Sequence, residues 1–302
     1  MNLDLFKSTF MPEKLLYNEP MSNFTSFRIG GPADLIVFPE TLEEIRAALS
    51  ICKENAFPYF IMGKGSNLLV KDAGYRGVVI ALNKNYESIR LLDKNSIYAS
   101  SGITLSKLAG FAMDNSLTGL EFASGIPGSL GGAVFMNAGA YDGEMKDVIT
   151  EVYLLDEDGN EIRKTNAEME FSYRTSFVQK NNGKFIVLGA AIRLKTGEVE
   201  DIKAKTLELN MRRKVKQPLD LPSAGSTFKR PEGHFAAKLI DDAGLKGLSY
   251  GGAKVSEKHC GFVVNFNSAT ADDVIALVEI VKEKVYSKFQ VELEPEIRII
   301  GD

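Results

Sequence analysis

Six glycines punctuate the stretch Ser124 to Gly143, at 125, 128, 131, 132, 139 and 143, and Ile126, Leu130, Ala133, Val134, Phe135 and Met136 stand between them. Glycines at this density bring backbone amides close to a large ligand and permit positive φ, while the interleaved apolar residues bury. The chemistry that suits such a segment is the cradling of phosphates. Pro127-Gly128 and Gly131-Gly132 also read as plain turns, although turn chemistry explains single pairs better than four glycines within residues 125–132. A second site of the same kind is Gly63-Lys64-Gly65-Ser66-Asn67, entered from the short apolar run Phe60-Ile61-Met62 and left through Leu68-Leu69-Val70.

GKGSNL is not a dinucleotide fingerprint, because Leu68 stands where the third glycine belongs and no helix follows. No GxxxxGK[ST] occurs either. Residues 68 to 81 read as a strand, a turn at Asp72-Ala73-Gly74 and a second strand from Gly77 to Ala81. This leaves a strand-loop-strand whose amides, with Ser66 and Asn67, form a nest for a pyrophosphate or else a simple hairpin connection.

Three further residues have settings that suit a pocket. Ser226 follows a glycine within Ser223-Ala224-Gly225-Ser226-Thr227-Phe228-Lys229-Arg230, with a cationic pair close by, and is otherwise a turn serine. Glu296 alternates with apolar residues in Leu293 to Ile300, so Glu294, Glu296 and Arg298 share one strand face, as a solvent-facing charge ladder also would. Arg174 is a lone cation in Phe171-Ser172-Tyr173-Arg174-Thr175-Ser176, where a salt bridge or surface stack is the plainer role.

The elements that must carry these residues alternate irregularly, which argues for α+β and against a doubly wound sheet. Thr41-Leu42-Glu43-Glu44 caps a helix running toward Phe57-Pro58, and a second helix starts near Thr104. Strands fill 149–194, with Asp158-Gly159-Asn160 as a hairpin turn. A helix follows from about Ile202 to Lys214, and Gly197 to Asp201 is the expected boundary between residues 1–200 and 201–302. Thr270 caps a long amphipathic helix, and a strand from Leu293 to Ile300 closes the chain.

The chain has 302 residues and a net charge of -4, enough for a large core and without a basic face for nucleic acid. The only basic cluster is Arg212-Arg213-Lys214 with Lys216. Two cysteines and two histidines give no basis for a disulfide framework, a metal site or a Ser-His-Asp triad. The absence of an export signal or membrane-length apolar run leads to the expectation of a cytoplasmic protein; composition does not fix its oligomeric state, and a monomer is the expectation taken.

The motifs together resemble those of the UDP-N-acetylenolpyruvoylglucosamine reductase (MurB) family. They are Asn23-Phe24-Thr25-Ser26-Phe27-Arg28-Ile29-Gly30-Gly31-Pro32-Ala33, GKGSNLLV at 63–70, SGIPGSLGGAVFMNAGAYDGE at 124–144, YRTS at 173–176, GSTFKRP at 225–231 and EPEIRIIG at 294–301. The resemblance implies a two-part FAD-binding region of the vanillyl-alcohol-oxidase/p-cresol-methylhydroxylase type in residues 1–200, split near residue 85. A C-terminal α+β substrate-binding domain would occupy residues 201–302. It implies non-covalent FAD, NADPH as reductant, and reduction of UDP-N-acetylglucosamine enolpyruvate to UDP-N-acetylmuramate for peptidoglycan precursors. FAD contacts fall on Arg28, Gly63, Lys64, Gly65, Ser66, Asn67, Gly125, Gly128, Ser129, Gly132, Ala133, Asn137, Gly139 and Ala140. Arg213 corresponds to an arginine near the flavin ring.

By the same resemblance Ser226 is the proton donor, Arg174 and Glu296 stabilise the developing enolate, and Lys216 and Lys229 hold the substrate. One branch of the family carries an extra tyrosine-bearing loop. Here Ser176 leads through 177–184 directly into Phe185-Ile186-Val187-Leu188, as in the shorter branch, which leaves Lys254, Lys258 and His259 as candidates for the missing contact with the diphosphate. Another flavin oxidase would keep the glycine loops without YRTS, GSTFKRP and EPEIRIIG, and a flavin-binding regulator would not need Ser226 or Glu296.

Overall fold

The computed structural model describes residues 1–83, 85–181 and 183–302. Two compact units form, one from Met1–Tyr17, Leu35–Lys64 and Gly77–Arg213, the other from Asn18–Asp34, Gly65–Arg76 and Lys214–Asp302. The division expected at 200/201 is thus displaced. Residues 197–201 lead into a helix that continues to Lys216, and the second unit recruits two earlier segments because Leu68–Val70 pairs in parallel with Arg298–Ile300.

The first unit has two cores. One gathers Phe6, Leu35, Val37, Ile45, Leu49, Cys52, Val78 and Ile80. Its helix α1, Leu42–Glu54, begins where Thr41 Oγ1 accepts the Glu44 N–H, and its apolar stripe Ile45, Ala48, Leu49 and Cys52 is buried. Burial pushes the Cys52 thiol up to about 12, so this cysteine is inert packing. The strand Tyr59–Met62 runs parallel to Tyr75–Ala81 and delivers the chain to Gly63.

The other core lies on an antiparallel sheet in the order Glu161–Thr165, Ile149–Asp156, Phe185–Arg193, Ser96–Ser100, Ile89–Asp93. The hairpin at 158–160 forms as its turn residues require, with Gly159 at φ +81° and Leu155 opposite Glu161. Helix α2, Leu105–Asp114, is capped by Thr104, and helix α3, Leu130–Phe135, packs on the strand Phe185–Arg193. The glycine segment is therefore partly helical. Leu130, Ala133 and Val134 bury on one side and hold a turn of helix despite Gly131 and Gly132. Between Ser176 and Phe185 stands only the short helix α4, Phe177–Lys180, with Asn182 outside the described residues. Helix α5, Val199–Lys216, ends the unit, its residues beyond Arg213 belonging to the second.

The second unit packs α6, Ala236–Asp242, and α7, Ala271–Phe289, around Val274, Leu277, Val278, Val281, Val285, Phe27, Ile29, Leu69 and Ile297. A capping box of Thr270 and Asp273 starts α7, as its sequence foretells. Asp72 adds a second cap by accepting the N–H groups of Ala271 and Asp272 at 2.9 and 3.1 Å. A meander of Ser249–Tyr250, Ala253–Val255 and Val263–Asn265 completes the unit. The strand expected from Leu293 to Ile300 is shorter, Arg298–Ile300. Pro295 has no N–H to give a ladder, and residues 294–296 bond singly to the 227–229 segment instead.

Candidate active site

In the first unit, the backbone run 101–105 closes on the glycine segment through three hydrogen bonds. Leu105 N donates to Gly128 O at 3.0 Å, Leu130 N to Ile103 O at 2.9 Å and Gly131 N to Ser101 O at 2.8 Å. A Cβ on Gly63 would stand 2.2 Å from Ser129 Oγ, so the end of the 59–62 strand comes close against the Ser129 hydroxyl. The hydroxyls of Ser129 and Ser101 are each on residues 1% exposed and have no hydrogen-bond partner. Buried hydroxyls without partners beside close-packed glycine backbone are the signature of a polar ligand's seat, and phosphate oxygens fit them. Ser101 was not singled out from the sequence; Ser100-Ser101-Gly102 after a strand is a weak signal without the pairing to Gly131.

The other expected residues of this unit are drawn to the same segment. A Cβ on Gly125 would meet Asn210 Oδ1 at 2.5 Å and Arg213 Cδ at 3.2 Å, which puts α5 against the loop. Burial presses the Arg213 guanidinium below its usual pKa, against a smaller opposing effect of Tyr141, and it stays a cation held at a desolvation cost that an anion would relieve. Asn137 is fully buried, its amide nitrogen donating to Glu144 Oε2 at 2.6 Å and Ser172 O at 3.0 Å while its oxygen accepts Lys146 N at 2.9 Å. These bonds tie the segment to residues 144, 146 and 172.

Arg174 sits at the tip of a tight turn closed by paired bonds between Ser172 and Thr175. Its φ of +53° is a left-handed conformation that a long side chain adopts only where the surroundings impose it. The guanidinium donates to Gly139 O at 3.2 Å and lies 5.0 Å from the Tyr173 ring, and Ser176 Oγ ties the turn to Phe135 O at 2.6 Å. A fixed cation is thereby joined to the glycine segment. Gly132 is exposed, Ala133 buried, and Lys64 exposed.

In the second unit, Gly65, Ser66, Asn67, Arg28, Ser226, Glu296, Lys229 and Lys216 lie on segments stitched together. Gly65 has φ +63°, and a Cβ there would stand 2.1 Å from Phe24 O. Asn67 Nδ2 donates to Glu296 O at 3.0 Å and Asn67 O accepts Arg298 N at 2.9 Å. Glu296 N donates in turn to Thr227 O at 2.8 Å, so Ser226 and Glu296 are held on adjoining segments. Both are half-buried, and Ser226 Oγ donates to Phe228 O at 3.3 Å. Arg28 is exposed at φ +54°. Lys229 pairs with Glu294, which occupies the ammonium expected to hold substrate. Burial lowers the pKa of Arg298, another cation that the sequence reading left on a charge ladder. Among the described residues no cluster of three or more His, Cys, Asp or Glu fits a metal ion.

The family model "UDP-N-acetylenolpyruvoylglucosamine reductase, C-terminal domain" matches residues 217–300, and "FAD binding domain" matches 33–165. The chain is 51% identical over 293 residues to the UDP-N-acetylenolpyruvoylglucosamine reductase of Alkaliphilus oremlandii, covering 97% of this chain and 95% of that one. It is 52% identical over 302 residues to that of Caldanaerobacter subterraneus, covering 99% and 98%. Its structure matches the crystal structure of the Thermus caldophilus enzyme (MurB) at a TM-score of 0.79 and 35% identity, over 94% of this chain and 97% of that one. A likeness to alkyldihydroxyacetonephosphate synthase, with a TM-score of 0.50 and 14% identity over 65% of this chain and 41% of that one, bears on the fold alone.

Proposed function

The chain belongs to the UDP-N-acetylenolpyruvoylglucosamine reductase family, and on that premise we propose that it reduces UDP-N-acetylglucosamine enolpyruvate to UDP-N-acetylmuramate with NADPH and FAD. The match over nearly the whole length of its relatives at about half identity carries this reading. With FAD bound, the chemistry supplied is hydride transfer from NADPH through the flavin to the methylene carbon of the enolpyruvyl ether.

The chain's own residues do the rest. Gly63, Lys64, Gly125, Gly128, Ser129, Gly132, Ala133, Gly139 and Ala140 hold the cofactor, with the Ser129 hydroxyl on a phosphate oxygen and Asn137 fixing the loop. Gly65, Ser66, Asn67 and Arg28 complete that hold, and Arg213 offsets negative charge near the flavin. Hydride addition leaves an enolate-like charge beside the substrate carboxylate. Arg174, pinned by Gly139 and Tyr173, offsets it without reorganising. Glu296 hydrogen-bonds the developing acid enolate. Ser226 protonates the adjacent carbon; a hydroxyl is acid enough only against so basic a centre and only when aimed at it. Lys216 binds the diphosphate, and Lys229 does so after leaving Glu294.

The enzyme works as a monomer in the cytoplasm; no helix among the described residues is long and apolar enough to cross a membrane. Mass spectrometry of the turnover product tests the reading. A gain of two hydrogens on the enolpyruvyl group, dependent on FAD and NADPH, is expected, and unchanged substrate would overturn it.

A further inference from the structure

The turn 256–262 joins the strands Ala253–Val255 and Val263–Asn265 and carries His259 in a fixed setting. Ser256 Oγ, on a residue 3% exposed, accepts the N–H groups of Lys258 and His259 at 3.2 and 3.3 Å. Phe262 packs edge-on to the imidazole with centroids 5.0 Å apart. Gly261 N donates to His259 Nδ1 at 3.1 Å, so the neutral ring carries its proton on Nε2 and presents a donor there. The same turn adjoins the candidate proton donor, because Thr227 N donates to Gly261 O at 2.8 Å one residue after Ser226.

Of the three residues left open for the diphosphate, two are engaged. Lys254 pairs with Glu257 at 2.9 Å and lies 4.2 Å from the Phe266 ring centroid. Lys258 Nζ donates to Lys214 O at 2.8 Å, which clips the end of α5 to the turn. Lys216, the last residue of α5, follows two positions after that clip. We propose that His259 Nε2 and Lys216 Nζ together grip the diphosphate of the uridine nucleotide, in place of the tyrosine that a longer loop supplies elsewhere in the family. The inference rests on the substrate assigned above.

Burial of the ring holds the His259 imidazole below its usual pKa; a hydrogen bond with its own backbone opposes this and the Lys216 charge adds to it. Lys216 is the charged side chain acting on the ring, while Asp241 on α6 and Lys246 act on the neighbouring Cys260. The free protein thus carries a neutral His259 at neutral pH. A bound diphosphate cancels the Lys216 repulsion and favours the imidazolium, so binding draws in a proton and strengthens as pH falls.

Calorimetric titration of the FAD-loaded enzyme with UDP-N-acetylglucosamine, whose diphosphate diester has no group that titrates between about pH 6 and 8, in two buffers of different ionisation enthalpy, tests this. Wild type is expected to take up part of a proton and to bind roughly tenfold tighter at about pH 6 than at about pH 8. His259→Gln is expected to bind with neither proton uptake nor that slope. His259→Lys, which restores a fixed cation, is expected to bind tightly at both pH values. The same proton uptake and slope in His259→Gln would overturn the grip alone. Failure of wild type to bind both UDP-N-acetylglucosamine and the enolpyruvyl sugar would overturn the substrate assignment, and the grip with it.

Discussion

On the proposed assignment, Ser226 separates the two halves of the reaction. Its hydroxyl lies with Glu296 on adjoining segments of the second unit, whereas the flavin's reduction by NADPH asks nothing of a proton donor to substrate. Ser226→Ala should therefore retain FAD and be reduced at the normal rate, yet oxidise with the enolpyruvyl sugar on the order of a hundredfold more slowly. Stopped-flow absorbance of each half-reaction measures this, and equal slowing of both halves would remove Ser226 from that role. Seen from the sequence, Ser226 was only a serine after a glycine. What marks it is the pairing of Glu296 N with Thr227 O, a contact between segments about seventy residues apart that no local pattern announces. Ser129 stands in a stretch whose glycine density reads as a phosphate seat, and its buried hydroxyl has no partner within the protein.

At the scale of elements, helix starts were readable because a cap is a local device. Thr41, Thr104 and Thr270 each accept a backbone N–H where the sequence places them. The shortened final strand was not, since its register depends on Pro295 and on a partner at 68–70. Two predictions belong here. Gly65→Ala forces a Cβ into Phe24 O at a left-handed residue and should cost at least about 1 kcal/mol of stability together with FAD retention, read by melting and by flavin fluorescence. A stable, yellow variant would contradict the close approach.

Asp273 concerns acid stability. Hydrogen bonds from Gly252 N–H first and then Thr270 lower its pKa. Its contribution is present above the unfolded-state value and is lost as pH falls through the depressed folded value. Asp273→Ala should lower stability by about 1 kcal/mol near neutrality and flatten the acid limb of the curve below roughly pH 4, as denaturant titrations across pH would show. An acid limb as steep as wild type's would assign it to other carboxylates.

For the whole molecule, the second unit is the instructive one. Its core includes Phe27, Ile29 and Leu69 beside α6 and α7, so a sequence boundary at 200/201 misses what the packing needs. Composition shifts and a glycine at 197 point to the start of a helix, but nothing local shows that 18–34 and 65–76 fold with residues two hundred positions away. A fragment of residues 214–302 alone should lack a cooperative thermal transition by circular dichroism, having lost those side chains and the Asp72 cap on α7. A sharp melt would show that the C-terminal segment folds independently.

The central claim, that the glycine cradle and the Ser226 segment serve one flavin-dependent reduction, is tested most directly by an anaerobic spectrum of the purified protein. Addition of NADPH should bleach the flavin absorbance, and UDP-N-acetylglucosamine enolpyruvate should then restore it in a single turnover. A flavin that bleaches and stays bleached with that sugar would contradict the account.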